Sequence, residues 1–247
     1  MERSPFKIVI PARYASTRLP GKPLRNIAGR PMLQHVYERA QSSGANEVIV
    51  ATDDERIEAA AAAFGARVCM TSPEHTSGTD RLAEVVQACN WNSSTIVVNL
   101  QGDEPMMPPG LIDQVAGDLA ERPDTEVATL AHPVDNTADM SNPDLVKVVL
   151  DCAGNALYFS RASIPWQRDP GEESAPGLRH IGLYAYRAGF LQHYSQLKPA
   201  PLECIEKLEQ LRILWHGIKI HVGIAAEMPG QGVDTEADLE IIARLMN

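Results

Sequence analysis

The side chains in this sequence that are best suited to chemistry are cations and carboxylates placed just after predicted strands. Arg13, Arg18 and Lys22 lie on one loop that follows a short apolar strand. Asp103 follows a second apolar strand, and Asp234 lies on a loop before the last predicted helix. Ligands of open α/β sheets bind at the carboxyl ends of the strands, where three cations suit a polyphosphate. Because Mg²⁺ takes oxygen ligands and needs only one or two protein carboxylates, these residues predict a site for phosphoryl chemistry.

Other common catalytic motifs are missing from the sequence. It contains no Gly-x-x-x-x-Gly-Lys-Ser/Thr phosphate loop, no Gly-x-Gly-x-x-Gly dinucleotide loop and no His-Glu-x-x-His zinc motif. Ser160 lacks the Gly-x-Ser-x-Gly surroundings of a hydrolase nucleophile. The cysteines have no Cys-x-x-Cys spacing and lie mostly within apolar patterns, so they are expected to be reduced, buried thiols: Cys69, Cys89, Cys152 and Cys204. For the basic loop by itself, a solvated turn stiffened by prolines is the alternative.

The composition bounds the class of protein. With 247 residues, of which 44% are hydrophobic, the chain is long enough to bury a full core in one domain. Its net charge of -10 disfavours nucleic acid and anionic membranes as partners, because the overall field would repel both. No apolar run approaches the roughly 20 residues of a membrane-spanning helix, and the first residues lack the apolar segment of a signal peptide. We therefore expect a cytoplasmic protein that acts on small molecules.

Apolar runs of strand length alternate with helical patterns over the first 131 residues. The predicted strands are 7–10, 47–51, 67–70, 95–100 and 127–131, the first of them ending at Pro11. The helices between them begin near Pro31, Asp53, Ser77 and Pro108. This βαβαβ order predicts an α/β fold with a doubly wound, mostly parallel, Rossmann-like sheet. At the helix that follows Ser77, capping by this serine is favoured over binding of an anion.

Residues 142–200 break this alternation and form a predicted antiparallel excursion within a single domain that spans 1–247. The excursion comprises a hairpin of 146–150 with 156–160, a loop at 166–178 and a strand at 179–187. The chain then returns through a helix at 202–215, a strand at 218–225 and a helix at 236–246. Thr235 is the predicted N-cap of that last helix, with Asp238 three residues on. Asp234 is then left outside the helix and can point into the crevice.

Five motifs identify a family when they are taken together in this order. They are IPARYASTRLPGKPL at 10–24, QGDEP at 101–105, YFSR at 158–161, RHIG at 179–182 and GVDT at 232–235. In this combination the chain resembles the 3-deoxy-D-manno-octulosonate cytidylyltransferases, also called CMP-Kdo synthetases, over essentially its full length. The first motif alone indicates only the wider group of CMP-activating nucleotidyltransferases, which includes the CMP-sialate enzymes.

The resemblance implies a nucleotidyltransferase sheet and a Mg²⁺-dependent reaction in which the 2-hydroxyl of Kdo attacks the α-phosphate of CTP. The products are CMP-Kdo and pyrophosphate, an activation step for lipopolysaccharide synthesis. It also implies a two-fold homodimer built from the 142–200 excursion, which carries sugar-acid contacts.

The resemblance assigns roles to individual residues. The implied nucleotide contacts are Ala12, Arg13, Lys22, Ser77, Gly78, Arg81 and Gln101. The implied metal ligands are Asp103 and Asp234, which carry catalysis together with Arg13 and Lys22. The implied sugar-acid contacts are Arg161, His180, Tyr184, Glu209 and Gln210. An arginine suits a carboxylate, and the other polar side chains suit a polyhydroxylated ring.

Other interpretations fit parts of the sequence. A cytidylyltransferase for another sugar acid, such as sialic acid, would differ mainly in the pocket between Arg161 and Tyr184. A non-catalytic nucleotide-binding module would keep the fold but is expected to lose Lys22 or an aspartate, and all three are present. Without the resemblance, His180 is interpreted as a hydrogen-bonded strand residue, Tyr184 as a core ring and Glu209 as an exposed helix charge.

Overall fold

The computed structural model of the protein describes residues 4–15, 19–75, 77–134, 137–169 and 177–246. Arg18 of the predicted cationic loop lies outside these described residues, and so do residues 170–176 of the predicted loop at 166–178. Within the described ranges, no helix combines the length and the apolar character that a bilayer crossing requires.

The strands and helices follow the predicted alternation. The strands are β1 (Phe6–Ala12), β2 (Asn26–Ile27), β3 (Arg30–Pro31), β4 (Glu47–Thr52), β5 (Arg67–Met70), β6 (Ile96–Asn99), β7 (Val127–Pro133), β8 (Lys147–Leu150), β9 (Ala156–Ser160), β10 (Leu178–Arg187) and β11 (Ile220–Ile224). The helices are α1 (Met32–Gln41), α2 (Glu55–Ala63), α3 (Gly78–Ala88), α4 (Pro109–Ala120), α5 (Thr137–Met140), α6 (Ala188–Tyr194), α7 (Pro201–Glu206), α8 (Gln210–Trp215) and α9 (Glu236–Leu245). A single 3₁₀ turn spans Lys22–Leu24 in the described chain.

The central sheet has the strand order β11-β7-β10-β6-β1-β4-β5. The pairs of β1 with β4 and β6, of β4 with β5 and of β7 with β11 are parallel, which confirms the predicted doubly wound, mostly parallel sheet. The chain order reverses at β1, since β4 lies on one side of it and β6 on the other. Such a switch point opens a crevice at the carboxyl ends of the strands. The loops after β1 and β6 therefore meet there.

β10 runs antiparallel between β6 and β7 in the middle of this sheet. Its first residues also pair with β8, which forms the predicted hairpin with β9. The strand at 179–187 is thus shared between the main sheet and the predicted excursion. Side chains on β10 consequently reach the same crevice as the loops after β1 and β6.

β1 continues through Pro11 to Ala12, so the predicted stop at Pro11 is wrong. Proline lacks the N–H group that a central strand position needs. Pairing with β6 ends at Val9, and Pro11 pairs only with Ala51 of β4. The proline is tolerated because one neighbouring strand, rather than two, lies beside it.

Helices cover both faces of the sheet. Ile8 and Ile10 of β1 pack on one face with residues of α1, α2 and α4. Val9 packs on the other face with residues of α3, α6 and α8. Alternate side chains of a strand point to opposite faces, so both faces of β1 are buried and its sequence is a continuous apolar run.

The predicted helix at 202–215 is wrong in one respect: the chain forms two short helices, α7 and α8. They are separated at Lys207, which has a left-handed φ of 55°. Leu208 is buried beside the break, and Arg212 of α8 pairs with Glu203 of α7 at 2.5 Å and 2.9 Å. Tertiary burial and this bidentate pair therefore outweigh the helical periodicity that links the two segments.

The predicted burial of the cysteines is wrong for two of the four. Cys152 and Cys204 are exposed, whereas Cys69 and Cys89 are partly buried. Cys152 lies in the turn between β8 and β9, and Cys204 lies on α7, whose buried residue is Glu203.

Candidate active site

The ammonium group of Lys22 lies between two carboxylates at the carboxyl edge of the sheet. Lys22 Nζ is 2.7 Å from Asp103 Oδ2 and 3.1 Å from Asp234 Oδ1. The turn before the lysine uses Gly21, whose φ of 66° lies in the left-handed region that glycine adopts without steric cost. The structure thus brings the predicted catalytic lysine together with both predicted metal ligands.

The two aspartates come from loops far apart in sequence, and backbone contacts hold these loops together. Val233 N donates a hydrogen bond to Asp103 O at 2.9 Å. Beside Asp103, a Cβ atom on Gly102 would lie 2.9 Å from Pro11 O. Glycine is needed there because the loop after β6 passes so close to the end of β1.

The start of α9 leaves the carboxylate of Asp234 available to Lys22. Thr235 Oγ1 accepts from Asp238 N at 3.2 Å, and Asp238 Oδ2 accepts from Thr235 N at 2.8 Å. This reciprocal capping box confirms Thr235 as the predicted N-cap. Because Thr235 caps the helix, Asp234 is not needed for that purpose.

A third carboxyl group, Glu104, adjoins the pair and was not predicted as a site residue. Burial, followed by the charge of Asp103, raises the pKa of Glu104 to about 8. Glu104 is therefore mainly protonated at neutral pH. The negative charge that faces Lys22 comes chiefly from Asp103 and Asp234.

Asp103 and Asp234 are the residues of this chain that would hold a magnesium ion. Both carboxylates lie within 3.1 Å of one ammonium nitrogen, which shows that they converge on a single cationic position. Across the part of the chain that the structure describes, no group of three or more His, Cys, Asp or Glu is arranged to hold a metal. Two carboxylates suit Mg²⁺, because substrate phosphates and water complete its octahedron. The residues present fit the ion.

Arg13 holds the loop that leads into α3. Its Nη2 donates to Ser77 O at 3.0 Å and also to His75 O. Burial and the nearby charge of Arg81 lower the pKa of Arg13. The guanidinium therefore positions this loop at the rim of the crevice, and its contact with a triphosphate stays a prediction.

The first turn of α3 combines capping with burial. Ser77 Oγ accepts from Asp80 N at 3.0 Å, so the capping role favoured from the sequence is confirmed. Arg81 is completely buried, and its Nη2 lies 3.1 Å from Asp53 Oδ2. Arg81 thus braces α3 against the loop after β4. The nucleotide contacts of Ser77 and Arg81 stay predictions.

A cavity of about 370 Å³ opens beside Asp103. Its walls include residues that were predicted for nucleotide, metal and sugar-acid binding: Gly78, Gln101, Asp103, His180, Tyr184, Glu209 and Gln210. Ala12 is buried at the end of β1. The cavity therefore joins the edge of the site that carries Asp103 to the walls formed by β10 and by the break between α7 and α8.

The β10 wall of the cavity is aromatic and uncharged. The rings of His180 and Tyr184 lie 5.3 Å apart, and Tyr184 stacks on Tyr186 at 5.5 Å. Burial lowers the pKa of His180 to about 3 and raises the pKa of Tyr184. Both groups are consequently neutral at physiological pH. Aromatic faces with a few hydrogen-bonding groups suit a polyhydroxylated ring.

Another part of the cavity lining comes from the break between α7 and α8. Glu209 and Gln210 line the cavity because the chain leaves the helical path at Lys207. Burial raises the pKa of Glu209. The predicted continuous helix at 202–215 contains no such break. The break observed at Lys207 therefore explains how Glu209 and Gln210 reach the site.

Arg161 is the predicted sugar-acid residue that the structure does not bring to this cavity. Its Nε donates to Glu206 O and its Nη1 to Pro143 O, both at 2.8 Å. Arg161 N also donates to Glu206 Oε2 at 2.9 Å. The side chain thus ties the end of β9 to α7 and to the loop before β8. Its contact with a substrate carboxylate stays a prediction.

The cavity lining also includes residues that were not predicted, among them Asn99, Tyr186 and Tyr194. Tyr186 follows Tyr184 by two residues, so the strand period could have indicated it. Tyr194 lies on α6, a helix that the sequence analysis did not predict. Asn99 faces Tyr184 across the β6–β10 pair, which only the strand order reveals. Among the described residues, Asn99 Oδ1 and Tyr194 OH have no protein hydrogen-bond partner, so they are placed to bind a ligand or water.

The doubly wound fold, the cation and carboxylates at its switch point and the adjoining polar cavity define a nucleotide-dependent transferase. A family model described as cytidylyltransferase matches residues 7–220. The 3-deoxy-manno-octulosonate cytidylyltransferase of Aliivibrio fischeri (strain MJ11) is 57% identical over 247 residues, covering 98% of this chain and 99% of that protein. The enzyme of the same name from Vibrio cholerae serotype O1 (strain M66-2) is also 57% identical, covering 98% and 97%.

A solved structure has the same fold. It is described as CMP:2-keto-3-deoxy-manno-octonic acid synthetase complexed with CTP, and it superposes with a TM-score of 0.91 at 49% identity. The match covers 98% of both chains. The protein described here therefore belongs to the 3-deoxy-manno-octulosonate cytidylyltransferase family.

Proposed function

We propose that this chain transfers CMP from CTP to 3-deoxy-D-manno-octulosonate (Kdo), which yields CMP-Kdo and diphosphate. The observation that carries the proposal is that Asp103 belongs both to the Lys22 cluster and to the lining of the cavity. A triphosphate at the cluster and a sugar acid in the cavity would then lie side by side. The names of the relatives and the CTP complex of the structural neighbour support these two substrates.

The proposed reaction exchanges one bond at phosphorus for another. The 2-hydroxyl oxygen of Kdo forms a bond to the α-phosphorus of CTP, and the proton of that hydroxyl group passes to solvent water. The bond from that phosphorus to the oxygen bridging to the β-phosphorus breaks, and its electron pair leaves with diphosphate. Negative charge grows on the leaving group, so a positioned cation stabilises the transition state more than the ground state.

Lys22 is the residue of this chain that would supply that cation. Its ammonium group is held at the site by Asp103 and Asp234. Mg²⁺, bound through the same two carboxylates, would act as a Lewis acid toward phosphate oxygens. The 3₁₀ turn and the loop contacts of Asp103 keep these groups in place before the substrates bind, which lowers the reorganisation cost of the reaction.

The proposal extends to the setting of the reaction. In a chain with a net charge of -10, the local cations Arg13 and Lys22 at one edge of the sheet suit an enzyme that acts on a small anionic nucleotide, and we propose that it works in the cytoplasm. The product would be the activated sugar acid used in lipopolysaccharide synthesis.

Pyrophosphate release should require CTP, Mg²⁺ and Kdo together. Each substrate alone should give only background, because CTP alone lacks the attacking hydroxyl group and Kdo alone lacks the phosphorus that is attacked and the leaving group. A coupled assay for pyrophosphate, run with and without each component, measures this directly. Turnover with sialic acid equal to that with Kdo would favour the other sugar-acid enzyme, and CTP binding without any turnover would favour a non-catalytic module.

We also propose that the chain acts as a homodimer through the 142–200 excursion. In the described sheet, β9 pairs along its length only with β8 and so presents an edge. Leu157 on β9 is 61% exposed and Trp166 is 81% exposed. Edge strands and exposed apolar side chains are usually covered, and a second copy in two-fold symmetry would cover both.

Changing Leu157→Asp should convert a dimer to a monomer at micromolar concentration. A charge at the centre of the contact is costly to bury, whereas Leu157 is already exposed in the single chain. Sedimentation velocity gives the mass of each species. Ile241→Asp on α9, another exposed apolar position outside the excursion, is the matched control and should leave the dimer intact. A fully active monomer of the unaltered chain would refute the proposal.

A further inference from the structure

Thr129 lies at an irregular point of the central sheet. The pairing of β10 with β7 passes from Ile181 opposite Leu130 directly to Tyr184 opposite Thr129. Gly182 and Leu183 therefore have no opposite residue on β7. Thr129 is completely buried, and its hydroxyl group is 3.1 Å from Ile181 O and 2.8 Å from Leu183 O. The hydroxyl thus replaces ladder hydrogen bonds that the irregularity interrupts.

The same hydroxyl group contacts the imidazole ring of His180. Thr129 Oγ1 lies 3.0 Å from His180 Nε2. A hydroxyl has one proton, and carbonyl oxygens can only accept, so this proton is donated to the carbonyl of Leu183 or Ile181. Oγ1 is then an acceptor toward the ring, and Nε2 must carry the hydrogen. If the hydroxyl proton were donated to Nε2 instead, the two carbonyl oxygens would face lone pairs of the threonine oxygen.

We infer that Thr129 is a positioning residue that fixes His180 as the Nε2–H tautomer and so makes Nδ1 a hydrogen-bond acceptor for a hydroxyl group of the acceptor substrate. His180 lines the cavity, and within the described ranges its side chain makes its hydrogen bond through Nε2, which leaves Nδ1 to the cavity. Phe159 packs edge-on against the ring at 4.9 Å, and Tyr184 packs on it at 5.3 Å, so rotation of the ring is restricted.

A hydrogen-bond acceptor fixed at Nδ1 of His180 selects which group of the substrate can bind there. A neutral imidazole nitrogen with a lone pair binds an O–H group and disfavours a carboxylate, which has no hydrogen to donate. The low pKa of His180 agrees with this, because a protonated ring would present a donor at both nitrogens. The carboxylate of the substrate is then excluded from this position, while a hydroxyl is favoured. This assignment of the substrate group rests on the proposed function, whereas the tautomer does not.

The tautomer can be measured on the unaltered protein without any substrate. Two-bond ¹⁵N–¹H correlation spectra of ¹⁵N-histidine-labelled protein distinguish the Nε2–H, Nδ1–H and doubly protonated rings. We expect the His180 ring to show the Nε2–H pattern and to keep it from pH 7 to pH 5. Its signals should disappear in His180→Gln, which assigns them. An Nδ1–H pattern, or a ring that becomes protonated in this pH range, would overturn the inference.

Two variants of Thr129 separate the hydroxyl group from the shape of the side chain. Thr129→Val keeps the shape and removes the acceptor, so the KM for Kdo should rise about tenfold while the KM for CTP changes less than twofold. Thr129→Ser keeps the hydroxyl group and should restore both the tautomer and the KM for Kdo. Equal loss in both variants, or equal changes in both KM values, would indicate a purely structural role and refute the inference.

The outcomes for the two proposals remain distinct. If the chain releases pyrophosphate from CTP and Kdo but His180 has the wrong tautomer, this inference fails alone. If the tautomer is as inferred but Kdo is not a substrate, the proposed function fails, and the KM comparison is repeated with the sugar acid that is turned over. Should Thr129→Val not fold, the spectra of the unaltered protein and of Thr129→Ser still decide the question.

Discussion

Replacing Asp234 by Asn should lower kcat by about 10²-fold or more and weaken the dependence on Mg²⁺. The change keeps the size of the side chain and removes the charge that faces Lys22, 3.1 Å away. Asp103→Asn should have a similar effect, since Asp103 is the other carboxylate of the pair. Steady-state rates over a range of Mg²⁺ concentrations, with calorimetric titration of Mg²⁺ in the presence of CTP, measure both effects.

The stability of Asp234→Asn shows whether Asp234 acts as a metal ligand or as a helix cap. The Asp234 side chain is 54% exposed, and Thr235 already caps α9, so the free energy of unfolding should change by less than about 0.5 kcal/mol. Glu236→Gln removes a charge two residues away, where the carboxylate pairs with Arg25, and should remain active. A loss of about 1 kcal/mol in stability with full activity would indicate a cap instead.

Replacing Lys22 by Ala should reduce kcat by about 10²–10³-fold and raise the KM for CTP much less. The ammonium group would act on charge that develops as diphosphate leaves, so its contribution is largest in the transition state. Its loss also leaves Asp103 and Asp234 facing each other without the cation that now bridges them. Lys22→Arg should not restore the rate, because a planar guanidinium group cannot replace a compact ammonium at this position.

Lys7→Ala is the matched control for this prediction. Lys7 is a lysine of β1 that also pairs with a carboxylate, Glu47 at the start of β4. This pair lies at the amino ends of the two strands, away from the site at their carboxyl ends. Replacing Lys7 should leave kcat and both KM values nearly unchanged. If Lys22→Ala changed only the KM for CTP, the lysine would bind the ground state and the transition state equally, and a specific role in the chemical step would be refuted.

Local signals in the sequence were sufficient for most elements and for the phosphate side of the site. Three residues occupy the helix-start positions that their chemistry favours: Pro109 in the first turn of α4, Ser77 at the N-cap of α3 and Thr235 at the N-cap of α9. The apolar runs of the first half predicted parallel strands, because both faces of such strands are buried. Lys22 and Asp103 could be placed at one sheet edge since both follow strands of the same parallel sheet.

The sugar-acid side of the site was decided by tertiary structure. No local pattern indicates that β10 inserts antiparallel between β6 and β7, because strand order depends on pairing between residues distant in sequence. That insertion brings His180 and Tyr184 to the crevice and places Thr129 against the irregular stretch of β10. The sequence indicated His180 as a candidate ligand but held no signal for its tautomer, which depends on a hydroxyl group 51 positions earlier in the chain.

Long-range packing also explains why Glu209 lines the cavity and Arg161 does not. The local sequence pattern predicts one continuous helix over 202–215. The chain instead forms two helices separated at Lys207, because burial of Leu208 and the ion pair of Arg212 with Glu203 stabilise that arrangement. Arg161 has the chemistry of a carboxylate ligand, yet it donates to backbone carbonyls outside the cavity. The sequence alone therefore determined the residue types, most of the elements and the caps of α3 and α9 in this protein. Long-range packing alone decided which polar side chains enter the cavity and which hydrogen-bond donors and acceptors they present.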